Sequence, residues 1–333
     1  MPLAQRTKSG RYYVGKSENV LKTRPLQNYR SKINLIFTSP PFPLNSKKSY
    51  GNRRGSEYRD WFATLAPLFA EMLTDDGSIV IELGNSWEHS RPVQSLLPLQ
   101  YLLDFVSKED TGLRLIQEFI SYNPSRLPSP AAWVTVKRIR TVDSYTRLWW
   151  IAKDDYPKAD NSKVLRPYSK KMKYLLATGK YNAGKRPSEH NIGEKSFLNN
   201  CGGSISHNLF ELENIDPSRK VRLPYSFEDV PNAFSFSNSN ASDFYSRTCK
   251  ERGITPHPAR MPLGLAKFFV EFLTDPKDIV LDPFAGSNIT GFSAASLNRQ
   301  WLAIDAEEKH VKHSKIRFED PLLKRLHTDT VES

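Results

Sequence analysis

Cysteine is scarce: the 333-residue chain has only Cys201 and Cys249, and neither sits in a CxxC pair. That excludes a disulfide-built scaffold and a cysteine-rich metal site, and it suits a reducing compartment. Long apolar runs are missing too. No uncharged apolar stretch approaches the ~20 residues needed to cross a bilayer, and the N-terminal MPLAQRTKSG has no apolar segment behind its basic residues. A soluble chain without membrane contact is expected. Acidic residues are few, 36 against 48 Lys plus Arg, which leaves a formal charge of +12. What the chain does have is 38% hydrophobic residues, with 18 Phe, 14 Tyr and 6 Trp. That is enough for one large core or two smaller ones, so a disordered basic tail is excluded.

The positive charge is concentrated. Between Ile151 and Asn200 there are 11 Lys or Arg against 5 Asp or Glu, a local +6 that is half the total. Lys163, Arg166, Lys170, Lys171 and Lys173 alternate there with Tyr168 and Tyr174, a pattern that favours a nucleic-acid surface.

The apolar pattern indicates an α/β fold. Ile33 to Phe37 is a strand-length apolar run stopped by two prolines, and Ser56 to Thr74 carries Trp61, Leu65, Leu68 and Met72 at helical spacing. Ser78 to Leu83 reads as a strand, Leu96 to Val106 as a helix, and Arg147 to Ala152 as a strand. The alternation dissolves from about Lys153 to Pro256, where Gly, Asn, Ser and Lys dominate. It resumes with a helix at Leu263 to Leu273, a strand at Ile279 to Leu281 and a helix at Thr290 to Leu297. A strand at Gln300 to Ile304 and a helix at Glu307 to Phe318 follow. Strands alternating with helices imply a mostly parallel sheet. One α/β domain, residues 1–152 and 257–333, is therefore expected to be split by a loop-rich insertion, residues 153–256.

Two segments carry chemistry. In DIVLDPFAGSNITG, a strand ends in Asp282 and turns through Gly286 into a helix, the place where open α/β sheets bind nucleotides. Neither GxxxxGK[ST] nor GxGxxG is present. Asp305 ends the next strand, where a carboxylate can accept ribose hydroxyls. A nucleoside without phosphates fits, and S-adenosylmethionine is one, offering Asp282 an amine and the backbone amides a carboxylate. The second segment is Thr38-Ser39-Pro40-Pro41-Phe42. Its prolines fix the backbone and remove two donors, so the Ser39 hydroxyl and neighbouring carbonyls are held as acceptors for an amino group. Phe42 adds a face for stacking a base.

With SPPF ahead of an insertion and DPFAGS behind it, the chain resembles the amino-group DNA methyltransferases. The leading Ser resembles their cytosine-N4 type, and the segment order resembles their permuted class, with the target-recognition region between two halves of a Rossmann-like domain. Further stretches carry the resemblance: Tyr50-Gly51-Asn52, Asn123 to Pro130 with Trp133, Trp149-Trp150, Lys163-Val164-Leu165, Cys201 to Ile205, and His257-Pro258-Ala259-Arg260. The resemblance implies methyl transfer from S-adenosylmethionine to a cytosine N4 in duplex DNA. Ser39, Pro40, Pro41, Phe42 and Glu82 would be catalytic. Thr38, His257, Pro258, Arg260, Asp282, Phe284, Gly286, Ser287, Asn288 and Asp305 would hold the cofactor. It also implies a monomeric protein of the prokaryotic cytoplasm that is the functional partner of a restriction endonuclease.

Arg138, Arg140, Lys163, Lys170, Lys171 and Lys173 are expected to face DNA, and no metal is expected. Two positions depart from the family pattern: Gly15-Lys16 stands where Gly-Asp is usual, and Glu82 stands where the family has Asp. Cytosine-C5 chemistry has no candidate, because that nucleophile usually follows proline, whereas Cys201 follows Asn200 and Cys249 follows Thr248. Adenine-N6 methylation and a DNA-binding relative without catalysis remain as alternatives.

Overall fold

The computed structural model describes residues 3–42, 55–180, 184–193, 197–213, 234–237, 243–257, 260–321 and 323. The motif residues Tyr50-Gly51-Asn52, Pro258 and Ala259 lie outside them.

The strands are β1 (Leu3–Arg6), β2 (Gly10–Val14), β3 (Ile33–Thr38), β4 (Leu73–Gly84), β5 (Arg114–Tyr122) and β6 (Tyr145–Ala152). They continue with β7 (Gly184–Lys185), β8 (Asn191–Ile192), β9 (Leu209–Glu213), β10 (Phe234–Ser237), β11 (Ile279–Asp282) and β12 (Gln300–Asp305). Helices are α1 (Ser17–Val20), α2 (Arg24–Gln27), α3 (Gly55–Met72), α4 (Leu97–Val106), α5 (Lys170–Thr178), α6 (Phe244–Glu251), α7 (Leu263–Leu273), α8 (Ile289–Ser296) and α9 (Glu308–Ser314). Among the described residues, ten strands share one sheet in the order β1-β2-β12-β11-β3-β4-β6-β5-β9-β10, while β7 pairs with β8 apart from it. Of these ten, β1 and β6 run against the rest. The expected mostly parallel α/β sheet is observed.

Alternation within the strands places a core on each face. Ile79 and Ile81 of β4, Trp149 and Ile151 of β6, and Leu302 and Ile304 of β12 pack on one side with α3 and α4. Val80, Leu148, Trp150, Trp301 and Ala303 pack on the other with α7 and α8. A strand buried on both faces must be apolar throughout, which is why these segments read as continuous hydrophobic runs.

The sequence pattern did not single out β1, β2 or β5. In β5, RLIQEFISY, charged residues interrupt the apolar ones, and only Phe119 and Ser121 are fully buried. The interval expected as an insertion is built into the domain at both ends. Phe210 of β9 stacks on Phe119 at 5.6 Å and meets Phe268 of α7 at 4.8 Å. Before β9, the chain leaving β6 is tied by Lys158 to Asp275 and Asp278, at 2.7 Å each. At the far end of the interval, Tyr245 and Cys249 of α6 pack with Ile316.

Candidate functional site

In the sheet order the chain moves outward from β3 to β4 in one direction and from β11 to β12 in the other. Such a reversal opens a crevice at the strand ends. A cleft of about 580 Å³ lies there, and both motif segments line it. Thr38 and Asp282, 244 residues apart, close the seam: the Thr38 hydroxyl donates to Asp282 Oδ1 at 2.7 Å.

The Asp282 carboxylate is buried, at 5% exposure. Its Oδ2 accepts the Thr290 hydroxyl at 2.7 Å and its Oδ1 also accepts the Phe284 amide at 3.0 Å. Burial outweighs these bonds and pushes its pKa up to about 6. A carboxylate has roughly four acceptor positions, so three donors leave one for a cationic ligand. Asp305 is used in the same way. Its Oδ2 accepts the Gly286 amide at 2.9 Å, while its Oδ1 takes the Glu307 amide at 2.8 Å and faces His310 Nδ1 at 3.1 Å.

The turn between β11 and α8 is clamped from outside the cleft. Tyr12 donates to the Gly286 carbonyl at 2.8 Å, Ser17 donates to the Pro283 carbonyl, and Arg317 Nε donates to the Ser287 carbonyl at 2.7 Å. Asn288, at φ 58°, caps α8 by accepting the Gly291 amide at 3.1 Å. Gly286 is required: its φ is +50°, and a Cβ there would stand 3.1 Å from His257 Nε2. The His257 ring in turn meets His310 edge-on at 4.3 Å. Arg260 lines the same wall and bonds Ser246, and Phe284 meets Trp61 at 5.6 Å.

Opposite stands the SPPF loop. Ser39, Pro40, Pro41 and Phe42 all line the cleft, and Phe42 lies where a Cβ on Gly84 would be 2.7 Å from its ring. Gly84 is therefore the condition for Phe42 to lie over the end of β4. Glu82 receives the hydroxyls of Thr146, at 3.1 Å, and Ser39, with Arg126 nearby. Burial of its carboxyl raises its pKa against those contacts. With its proton directed at Glu82, Ser39 Oγ keeps its lone pairs for another donor. The longer side chain at position 82 thus reaches both the SPPF loop and β6.

Sequence reasoning gave no role to Ser121, Thr146, His310 or the clamp residue Arg317, and it named Asn123 and Arg126 only within a motif stretch. Arg317 fell inside a segment read as a helix, and the strand carrying Ser121 was not recognised. Lys16 is exposed at the start of α1, beyond Gly15, whose amide donates to the Asp305 carbonyl at 2.9 Å.

The residues expected to face DNA divide into groups. Lys170, Lys171 and Lys173 are exposed on α5, whose ends are fixed by the Ser169 cap and by Gly179 at φ 64°, and they have no acidic partner within 4 Å among the described residues. Arg138 is exposed, with φ 54°. Arg140 lies 3.8 Å over the Trp87 ring and donates to the Pro92 carbonyl. Lys163 differs from these: its ammonium bonds Asp275 at 2.6 Å and the Thr274 carbonyl at 3.2 Å, ahead of the start of β11.

A mostly parallel sheet wound on both faces, with carboxylates and an SPPF loop at its switch point, is a Rossmann-like methyltransferase fold. The family model described as DNA methylase matches residues 33–316, and the chain belongs to that family. It is 37% identical over 319 residues to the Type II methyltransferase M.PvuII of Proteus hauseri, covering 95% of this chain and 86% of that one. It is 23% identical to the Type II methyltransferase M.EcaI of Enterobacter cloacae, over 87% and 65% of the two chains. The solved structure of the PvuII DNA methyltransferase, described as cytosine-N4-specific, matches with a TM-score of 0.69 and 30% identity, over 97% of this chain and 94% of that one. The resemblance read from SPPF and DPFAGS is borne out. No helix among the described residues is long and apolar enough to cross a membrane.

Proposed function

We propose that this protein is a site-specific DNA methyltransferase that moves a methyl group from S-adenosylmethionine to the N4 amine of a cytosine flipped out of duplex DNA. It would serve as the modification partner of a restriction endonuclease. The observation that carries this reading is the Thr38–Asp282 hydrogen bond, which sets the SPPF loop and the DPFAGS turn side by side in one cleft.

The residues fit that cofactor. Asp282 retains an acceptor for its ammonium, Asp305 and Glu307 would take ribose hydroxyls, and Phe284, which lines the cleft, would supply an apolar face for adenine. The absence of a Cβ at Gly286 lets the His257 ring lie close against the turn. When bound, the cofactor supplies an already activated sulfonium methyl, so the chain must provide alignment and a better nucleophile.

A cytosine amine is a weak nucleophile because its lone pair is delocalised into the ring. Ser39 Oγ and the Pro40 carbonyl would accept its two N–H groups and favour the pyramidal nitrogen. Glu82, held by Thr146 and Ser39, is placed to take up positive charge developing beside it. Phe42 would support the ring of the extruded base. The α5 lysines and Arg138 would contact phosphates. Incubation with duplex DNA and labelled S-adenosylmethionine, followed by nucleoside mass spectrometry, tests the reading. N4-methylcytosine is expected, and an unmodified digest would reject it.

A further inference from the structure

Ser121 presents an anomaly. It is 1% exposed, lines the cleft, and its Oγ has no hydrogen-bond partner among the described residues. Buried hydroxyls without partners are uncommon and costly, so an orphan at the edge of a ligand cleft points to the ligand. Its place in the sheet sharpens this. Ser121 of β5 is directly opposite Thr146 of β6, and Thr146 donates to Glu82 of β4. The row Ser121, Thr146, Glu82, Ser39 thus crosses the strand ends from the far wall to the SPPF loop.

Two neighbours reinforce the same polarity. Asn123 Oδ1 accepts the Ser125 amide at 3.0 Å, so its amide nitrogen, a pure donor, is the end left for the cleft. Arg126 spends one Nη1 hydrogen on the Tyr145 carbonyl at 3.0 Å and has donors only. The SPPF end of this row therefore offers acceptors, Ser39 and Glu82, and the β5 end offers the donors of Asn123 and Arg126 beside a Ser121 hydroxyl whose proton is uncommitted among the described residues.

That arrangement matches one base. The pairing edge of cytosine carries a donor amine, then N3 and the 2-carbonyl as acceptors. The pairing edge of adenine has a donor amine and a single acceptor, N1, followed by a C–H. We infer that Ser121, with Asn123 and Arg126, forms a donor wall that reads the 2-carbonyl and N3 of the flipped base, so that this chain selects cytosine over adenine. The inference rests on the proposed function and names the residues that set its base preference. Adenine would leave one buried donor unpaired, and sites built to hydrogen-bond a group reject analogues lacking it far more strongly than apolar pockets do.

The test is a protein–substrate cycle. Ser121→Ala is assayed for kcat/KM on a duplex with cytosine at the target, and on one with a 2-aminopyridine C-nucleoside linked through C5, which keeps the amine and the neighbouring ring nitrogen but lacks the 2-carbonyl. The loss on cytosine should be about ten- to hundredfold, with almost none on the analogue. Asn123→Ala should also lose activity on cytosine, and the double variant should discriminate least against adenine. Because the Ser121 hydroxyl has no partner among the described residues, Ser121→Ala should melt at the same temperature as the parent or higher, whereas a structural serine would lower it. Equal losses on the two substrates would overturn the donor wall alone. Methylation of adenine by the unaltered chain would overturn both the wall and the cytosine assignment.

Discussion

The two sides of the cleft are built on opposite terms. On the DPFAGS side, Asp282 and Asp305 each already face three protein groups, and Tyr12, Ser17 and Arg317 clamp the turn from behind. On the other side, which runs from the SPPF loop across β4 and β6 to β5, Ser121 has no partner among the described residues and the Ser39 hydroxyl is directed at Glu82. The first side is finished before any ligand arrives, as suits a molecule that is identical in every cycle. The second keeps open valences, as suits a base that must be drawn out of a helix and tested. Preorganisation lowers the ordering cost of binding, whereas unpaired groups increase the penalty for a wrong occupant.

Ser39→Ala should separate the two sides most sharply. The prolines, the Phe42 ring and the DPFAGS turn stay in place, so both ligands still bind. The hydrogen bond that the substitution removes strengthens as the amine pyramidalises, so kcat should fall by roughly ten- to a thousandfold with binding nearly unchanged. Single-turnover methylation beside equilibrium binding measures this, and an unchanged rate would remove Ser39 from the chemistry.

Asp305→Ala should do the reverse. Losing a carboxylate that holds Gly286, Glu307 and His310 should weaken cofactor binding about ten- to a hundredfold and lower the melting temperature. DNA affinity should barely change. Titration calorimetry with each ligand decides it, and equal loss of both affinities would mean the two sides are not separate.

Charge removal at Lys170, Lys171 and Lys173 should flatten the salt dependence of DNA binding by roughly one unit for each phosphate that is no longer neutralised. Lys163→Ala should leave that slope alone, since its ammonium belongs to Asp275. A changed slope in the Lys163 variant, or none in the triple variant, would reverse the division drawn among these lysines.

The smallest effect is in pH. Asp282 titrates near 6 in the folded protein against an ordinary 3.8, so the folded state holds the extra proton. Between about pH 4 and 6 its contribution to stability therefore falls as pH rises, opposite in sign to a salt-bridged carboxylate. A cationic ligand favours the ionised form, so cofactor affinity should rise a few-fold from pH 5 to 7 and then level off. Calorimetry across that range should show the rise, and Asp282→Asn should abolish it.

By itself the sequence determined the strands buried on both faces, because their side chains must be apolar throughout, and the two motif segments, because prolines and a Gly turn constrain the chain locally. The apolar runs Ile33 to Phe37, Arg147 to Ala152 and Gln300 to Ile304 were legible on that ground, short of the full strands by one residue, two residues and one residue. Strand β5 was not, since at the edge of the core it needs few apolar residues. Only the tertiary structure decided which lysine is free. Lys163 and Lys170 stand in one basic run, yet folding brings Asp275 to the first and no acidic partner among the described residues to the second. It likewise decided that Gly84 makes room for Phe42, that Arg317 clamps Ser287, and that the buried Ser121 hydroxyl beside the cleft has no partner among the described residues. Each of these depends on groups far apart in the chain meeting across the sheet. A local pattern gives a residue's type and periodicity, but the partners that determine its charge, exposure and open hydrogen bonds are set by folding.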